Sequence, residues 1–119
     1  VFHDELDLAP FKVKVRLGGG LAGHNGLRSI DQHLGPDFRR VRIGIGHPGH
    51  NDLVLHWVLR DFEPDERDPK DGWLPKVLSA LAEEAALLAE GGAKADERYM
   101  SRVAHLVPPP KPPAGESKA

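Results

Sequence analysis

Cysteine is absent from the chain, which excludes disulfides, thiolate nucleophiles and zinc–thiolate sites. No apolar run approaches the ~18–20 residues that a membrane helix needs. The opening Val1-Phe2-His3-Asp4-Glu5 has neither the basic lead nor the apolar stretch of a signal peptide. There is no internal repeat, and neither sign of charge dominates, the formal net charge being −2. What is present is an ordinary globular mix, 39% hydrophobic and 29% charged. At 119 residues it suits one domain. The expectation is a soluble, cytoplasmic, monomeric protein with no membrane partner.

The near-neutral total hides an asymmetry. Residues 1–60 hold eight Lys/Arg against six Asp/Glu, and residues 61–119 hold eight against twelve. Between Pro10 and Arg42, seven cations (Lys12, Lys14, Arg16, Arg28, Arg39, Arg40, Arg42) meet only Asp31 and Asp37. A local positive patch of this kind suits a polyanion.

Periodicity organises the same stretch. Val1-Phe2-His3 is an apolar entry that can end a strand. Lys12–Leu17 alternates strictly, with Val13, Val15 and Leu17 opposing Lys12, Lys14 and Arg16, as does a strand with one wet face. Arg40–Ile45 alternates likewise, so a shared sheet would collect the cations on one surface. Leu27, Ile30 and Leu34 predict a helix between His24 and Leu34, ended by Gly35-Pro36. Asn51–Leu59 reads as a short amphipathic helix with Leu53, Val54, Trp57 and Val58 on one side, Trp57 serving as packing. Asp61–Gly72 is a charged connection. A helix follows through Leu74, Val77, Leu78, Leu81, Ala85 and Leu88 to Gly91-Gly92, and another near Ala95–His105 with Tyr99, Met100, Val103 and Leu106 as its apolar set. From Pro108, five prolines in six positions predict a disordered end.

Gly18-Gly19-Gly20-Leu21-Ala22-Gly23 matches G-x-G-x-x-G between a strand and a helix, with Asp37 nineteen residues after Gly18. The dinucleotide reading conflicts with its context, because a first strand of a parallel nucleotide-binding sheet is buried on both faces. This one carries three cations. The glycines still imply positive φ or close backbone approach, with amides and a helix start open to an anion or carbonyl oxygen. His24-Asn25 sits at that helix start, where asparagine is a strong N-cap. Asp4, at a strand end, can hold the tautomer of a histidine acting as general base. His47, His50 and His56 lack metal-ligand spacing, and no metal is expected. Ser29, Ser79, Ser101 and Ser117 lack a nucleophile-elbow context.

Four collinear strings, His3-Asp4-Glu5-Leu6-Asp7-Leu8, Arg16-Leu17-Gly18-Gly19-Gly20, Gly23-His24-Asn25-Gly26-Leu27-Arg28-Ser29-Ile30 and Arg42-Ile43-Gly44-Ile45-Gly46-His47-Pro48-Gly49, together resemble bacterial peptidyl-tRNA hydrolase. The resemblance implies a compact α/β domain with a twisted mixed sheet flanked by helices. It implies hydrolysis of the ester between a peptide and the 3′ ribose of tRNA, by a histidine acting as general base on water, without metal or organic cofactor. By motif match, Asp4 is the aspartate that orients that histidine, and Asn25 is one of the substrate-binding asparagines, with His24 implicated beside it. Gly20, Gly23 and Lys14 fall among the implied substrate-binding positions. Arg16 and Arg42 match a phosphate clamp for the tRNA end, and Asn51–Leu59 a mobile lid beside the peptide channel.

The family's Gly-Asn-Pro-Gly and Thr-Arg-His-Asn segments, the second carrying its general base, are not matched here, and Leu21-Ala22 replaces a common His-Gly. The expectation is therefore that residues 1–106 are roughly the C-terminal three-fifths of such a domain, residues 107–119 its disordered tail, and the chain alone inactive. Its partner would be the acceptor end of peptidyl-tRNA. A non-catalytic fragment binding that end, and a dinucleotide-binding domain, are the alternatives.

Overall fold

A computed structural model of the chain describes residues 1–21 and 23–108. Three strands, β1 (Phe2–Glu5), β2 (Val13–Leu17) and β3 (Arg39–Gly44), form a sheet of order β1-β3-β2. β1 runs parallel to β3 with His3 beside Arg42, and β2 runs antiparallel to it with Lys14 opposite Arg42 and Arg16 opposite Arg40. The sheet is mixed; β2 and β3 fall within one residue of the alternating segments, and β1 runs on to Glu5, past the expected end at His3. The helices are α1 (Asn25–Leu34), α2 (Val54–Leu59, after a 3-10 turn at Asn51–Leu53), α3 (Trp73–Glu83), α4 (Ala85–Glu90) and α5 (Ala93–Leu106). Among the described residues, no helix is long and apolar enough to cross a membrane.

Alternation decides which face of the sheet is covered. Val41 and Ile45 pack with Trp73, Val77, Ala80 and Leu81 of α3 and with Tyr99 and Val103 of α5, and Val13, Val15 and Ile43 border the same core. The opposite face holds Lys14, Arg16, Arg40 and Arg42 in two facing pairs. Cations directly opposite one another destabilise a sheet unless something offsets them. Here Glu5 binds Arg42, with 3.0 Å between Oε1 and Nε, and two glycine carbonyls bind Arg40.

One alternative is excluded and three expectations change. The G-x-G-x-x-G segment follows a strand at the sheet edge, paired antiparallel, which excludes the dinucleotide fold. The helix expected through Leu88 breaks at Glu84, which an unbroken apolar spacing could not signal. The break sets α4 against α5 and leaves Leu87 and Leu88 on the core. Val107, assigned to the tail, is buried in the core. Pro108 is exposed and outside any helix or strand, and residues 109–119 of the expected tail lie outside the described residues. Finally, the seven-cation patch is divided. Arg39 reaches Asp96 of α5 (3.2 Å) and the Leu88 carbonyl (3.2 Å), and Arg40 is 3% exposed.

Candidate functional site: a cleft between the glycine loop and α2

The uncovered face of the sheet ends in a cleft of about 680 Å³. β1 contributes His3, Asp4 and Glu5, the neighbouring strands Arg16, Arg40 and Arg42, the glycine loop Gly20 and Gly23, and the start of α1 His24 and Asn25. α2 adds an apolar wall of Val54, Leu55, Val58 and Leu59. The end of β1, the alternation of β2 and β3, the glycine loop and the turn into α1 thus converge seven of the eight candidate residues. Lys14 does not join them. It faces Arg42 in register but lies exposed, outside the cleft.

Asp4 and His24 meet across twenty residues of sequence, with 2.8 Å between Oδ1 and Nε2. The other ring nitrogen of His24, Nδ1, accepts the Leu27 N–H at 3.1 Å. A nitrogen that accepts from an amide carries a lone pair, so the proton lies on Nε2 and is donated to Asp4. Both nitrogens are therefore engaged, and His24 has no lone pair left with which to activate water. His24, not Asn25, is the N-cap of α1. The expectation from propensity was the reverse. A second difference concerns the helix start, whose Leu27 N–H is filled from within the chain and not open to an anion.

His3 stands edge-on to His24, with ring centroids 5.2 Å apart. Its Nδ1–H donates to the Asp4 carbonyl at 2.8 Å, and its Nε2 is buried without a partner among the described residues. Burial, aided by His24, holds the His3 imidazole below its ordinary range, outweighing the carbonyl hydrogen bond and the nearby carboxylates.

The glycine loop is held by a cation. Arg40 donates from Nη1 to the Gly20 carbonyl (2.7 Å) and from Nη2 to the Gly19 carbonyl (3.1 Å), and stacks 4.5 Å above the Phe38 ring. Gly19 has φ +104°, and a Cβ there would lie 2.7 Å from the Arg16 guanidinium, so this bend needs glycine. The loop turns these two carbonyls toward Arg40.

On α2 the apolar side differs from the expected one. Trp57 turns toward the core as anticipated, but Leu55 and Leu59, 67% and 74% exposed, join the cleft wall. Arg60 anchors the helix end by lying 3.9 Å over the Trp57 ring and 3.3 Å from Glu66. Burial pushes the Glu66 carboxyl up, yet the Glu63 amide, the Trp73 indole N–H at 2.9 Å and Arg60 together hold it below its ordinary range. Among the described residues, no three His, Asp or Glu side chains converge as metal ligands.

Sequence reasoning missed Glu5, Arg40 and His3. Glu5 could have been found from its register, two residues beyond His3 on the face that carries Arg42. Nothing in the alternation distinguishes the buried Arg40 from its exposed neighbours.

A sequence model described as peptidyl-tRNA hydrolase matches residues 1–107. The chain is 68% identical over 91 residues to a peptidyl-tRNA hydrolase of Novosphingobium aromaticivorans, covering 76% of this chain and 46% of that protein. It is 52% identical over 117 residues to one of Ruegeria sp. (strain TM1040), covering 98% and 44%. The crystal structure of peptidyl-tRNA hydrolase from Acinetobacter baumannii superposes with a TM-score of 0.68 at 35% identity, covering 86% of this chain and 48% of that one. A peptidyl-tRNA hydrolase in complex with N-propanol superposes at 0.71, also at 35% identity, covering 91% and 52%. The chain thus spans about half the length of the relatives it matches. With the match running through all three strands, the glycine loop and α5, this chain belongs to the peptidyl-tRNA hydrolase family.

Proposed function

We propose that this chain supplies the aspartate, asparagine and cation half of a site that hydrolyses the ester between a peptide and the 3′ ribose of tRNA. The observation that carries this reading is the convergence of Asp4, Asn25, Arg16 and Arg42 on one cleft with an apolar wall. Asp4 spends one carboxylate oxygen on His24 and keeps the other for the histidine that, in this family, activates water. Asn25 presents its carboxamide to the ester, where an N–H donor stabilises the developing oxyanion. Arg16 and Arg42 take phosphates of the acceptor end, and the α2 wall lies against the peptide.

A second reading, for the chain on its own, is a non-catalytic grip on the acceptor end. The specific support is that His24 has no free nitrogen and the free nitrogen of His3 is buried. Gel shift with an acceptor-stem RNA, paired with hydrolysis of an N-acylated aminoacyl-tRNA, tests both halves. Binding without turnover is expected, and turnover abolished by Asp4→Ala would overturn the second.

Phosphate contacts make affinity fall with salt in proportion to the charges neutralised. Arg16→Ala and Arg42→Ala are each expected to weaken binding and lower the log–log salt slope by ~1. An unchanged slope for either would remove that arginine from the clamp. Glu5→Gln is expected to tighten binding in the same titration, because it frees the Arg42 guanidinium from its carboxylate partner.

A further inference from the structure

The first turn of α1 uses the weaker of two adjacent capping candidates. Asparagine is among the strongest N-caps and histidine is not. Yet His24, at φ −75° and ψ 108°, is the capping residue, and Asn25 is the first helical one. The consequence is chemical. An asparagine at the cap spends its side-chain oxygen on the helix backbone, whereas Asn25 as a first-turn residue makes no side-chain hydrogen bond among the described residues and lines the cleft, exposed. The imidazole that displaces it does two jobs at once, holding the Leu27 N–H on one nitrogen and the Asp4 carboxylate on the other.

The sequence makes room for this. A Cβ at Gly26 would sit 3.0 Å from Cε1 and 3.3 Å from Nδ1 of His24, closer than ordinary van der Waals contact. The absence of that carbon lets the ring fold back over the first turn, and His3 closes its other side edge-on.

We infer that His24 is a positioning residue, seated over Gly26, that caps α1 in place of Asn25 and so leaves the Asn25 carboxamide free in the cleft that Asp4 also lines. The inference deepens the proposed hydrolytic reading and rests on it for the roles of Asp4 and Asn25. The bonding pattern itself does not.

Nitrogen NMR of the histidine-labelled chain reads the pattern without any activity. His24 is expected as the Nε2–H tautomer with Nδ1 accepting, and an Nδ1–H tautomer or an averaged ring would overturn the inference. Three variants read the consequence, in the chain joined to the part of the N. aromaticivorans relative that it leaves unmatched. His24→Ala vacates the cap and lets Asn25 take it, so kcat is expected to fall on the order of 10²-fold, with KM and the melting temperature little changed. His24→Asn keeps a cap at position 24 and leaves Asn25 free, and is expected to recover part of that loss. Gly26→Ala improves helix propensity but crowds the imidazole, and is expected to lose the Nε2–H signature and kcat together without loss of stability. Equal kcat for His24→Ala and His24→Asn, or a fully active Gly26→Ala, would overturn the inference. Failure of the unsubstituted joined protein to hydrolyse an N-acylated aminoacyl-tRNA would instead overturn the hydrolytic reading, and the NMR result would stand apart from it.

Discussion

Asp4→Asn is expected to lower peptidyl-tRNA turnover by ~10²–10⁴-fold in the joined protein, the range in which losing effective general acid–base support falls. The carboxylate accepts the His24 Nε2–H at 2.8 Å, and in the proposed reading its charge stabilises an imidazolium formed on the histidine that activates water. An asparagine keeps the size of the side chain but not the charge. Its amide nitrogen, if turned toward His24, would also oppose one N–H to another and disturb the tautomer that caps α1. Single-turnover hydrolysis of an N-acylated aminoacyl-tRNA separates this from weakened binding, since the phosphate contacts proposed for Arg16 and Arg42 are untouched. A loss smaller than threefold would remove Asp4 from the chemistry.

Much of what positions that carboxylate is legible along the chain. Strict alternation gives β2 and β3 to within a residue, and the same alternation puts Lys14, Arg16, Arg40 and Arg42 on one face. Alternation reports direction only. It could not show that Arg40 would be drawn under the glycine loop by two carbonyls while Arg16, directly opposite, would stay exposed. Nor could it show that Glu5 would neutralise Arg42, because that pairing depends on β1 lying parallel to β3, a contact 37 residues apart. Propensity failed at one informative place. It favoured Asn25 as the cap, and the tertiary contact with Asp4 gave the position to His24. Local preference is overridden beside the cleft, where conflicts between local and tertiary signals are expected to concentrate.

The helix break at Glu84 was invisible for a related reason, and it leads to the largest stability effect expected of this chain. An α-helix leaves its last four carbonyls without helical partners. Ending α3 at Glu83 strands the Leu81 carbonyl, and Tyr99, 0% exposed, donates its hydroxyl to it at 3.0 Å. Tyr99→Ala is expected to cost ~3–5 kcal/mol by opening a cavity between α3 and α5. Tyr99→Phe keeps the ring and is expected to cost ~1–3 kcal/mol, because the carbonyl is left buried and unpaired. Urea midpoints at unchanged slope measure both. Burial, reinforced by Glu84, also pushes the Tyr99 hydroxyl from about 10 up to about 12. A group whose folded value is raised contributes stability that is intact below the unfolded value and lost as pH rises through the folded one. The window here is pH 10 to 12. Tyr99 is the only tyrosine in the chain, so phenolate absorbance reports this group alone, and the Phe variant should lose that alkaline limb of the stability curve. Ionisation near pH 10 in the folded protein would refute the burial of this hydroxyl. The site feels the same contact, because α5 packs on β2, the strand that carries Arg16 into the cleft.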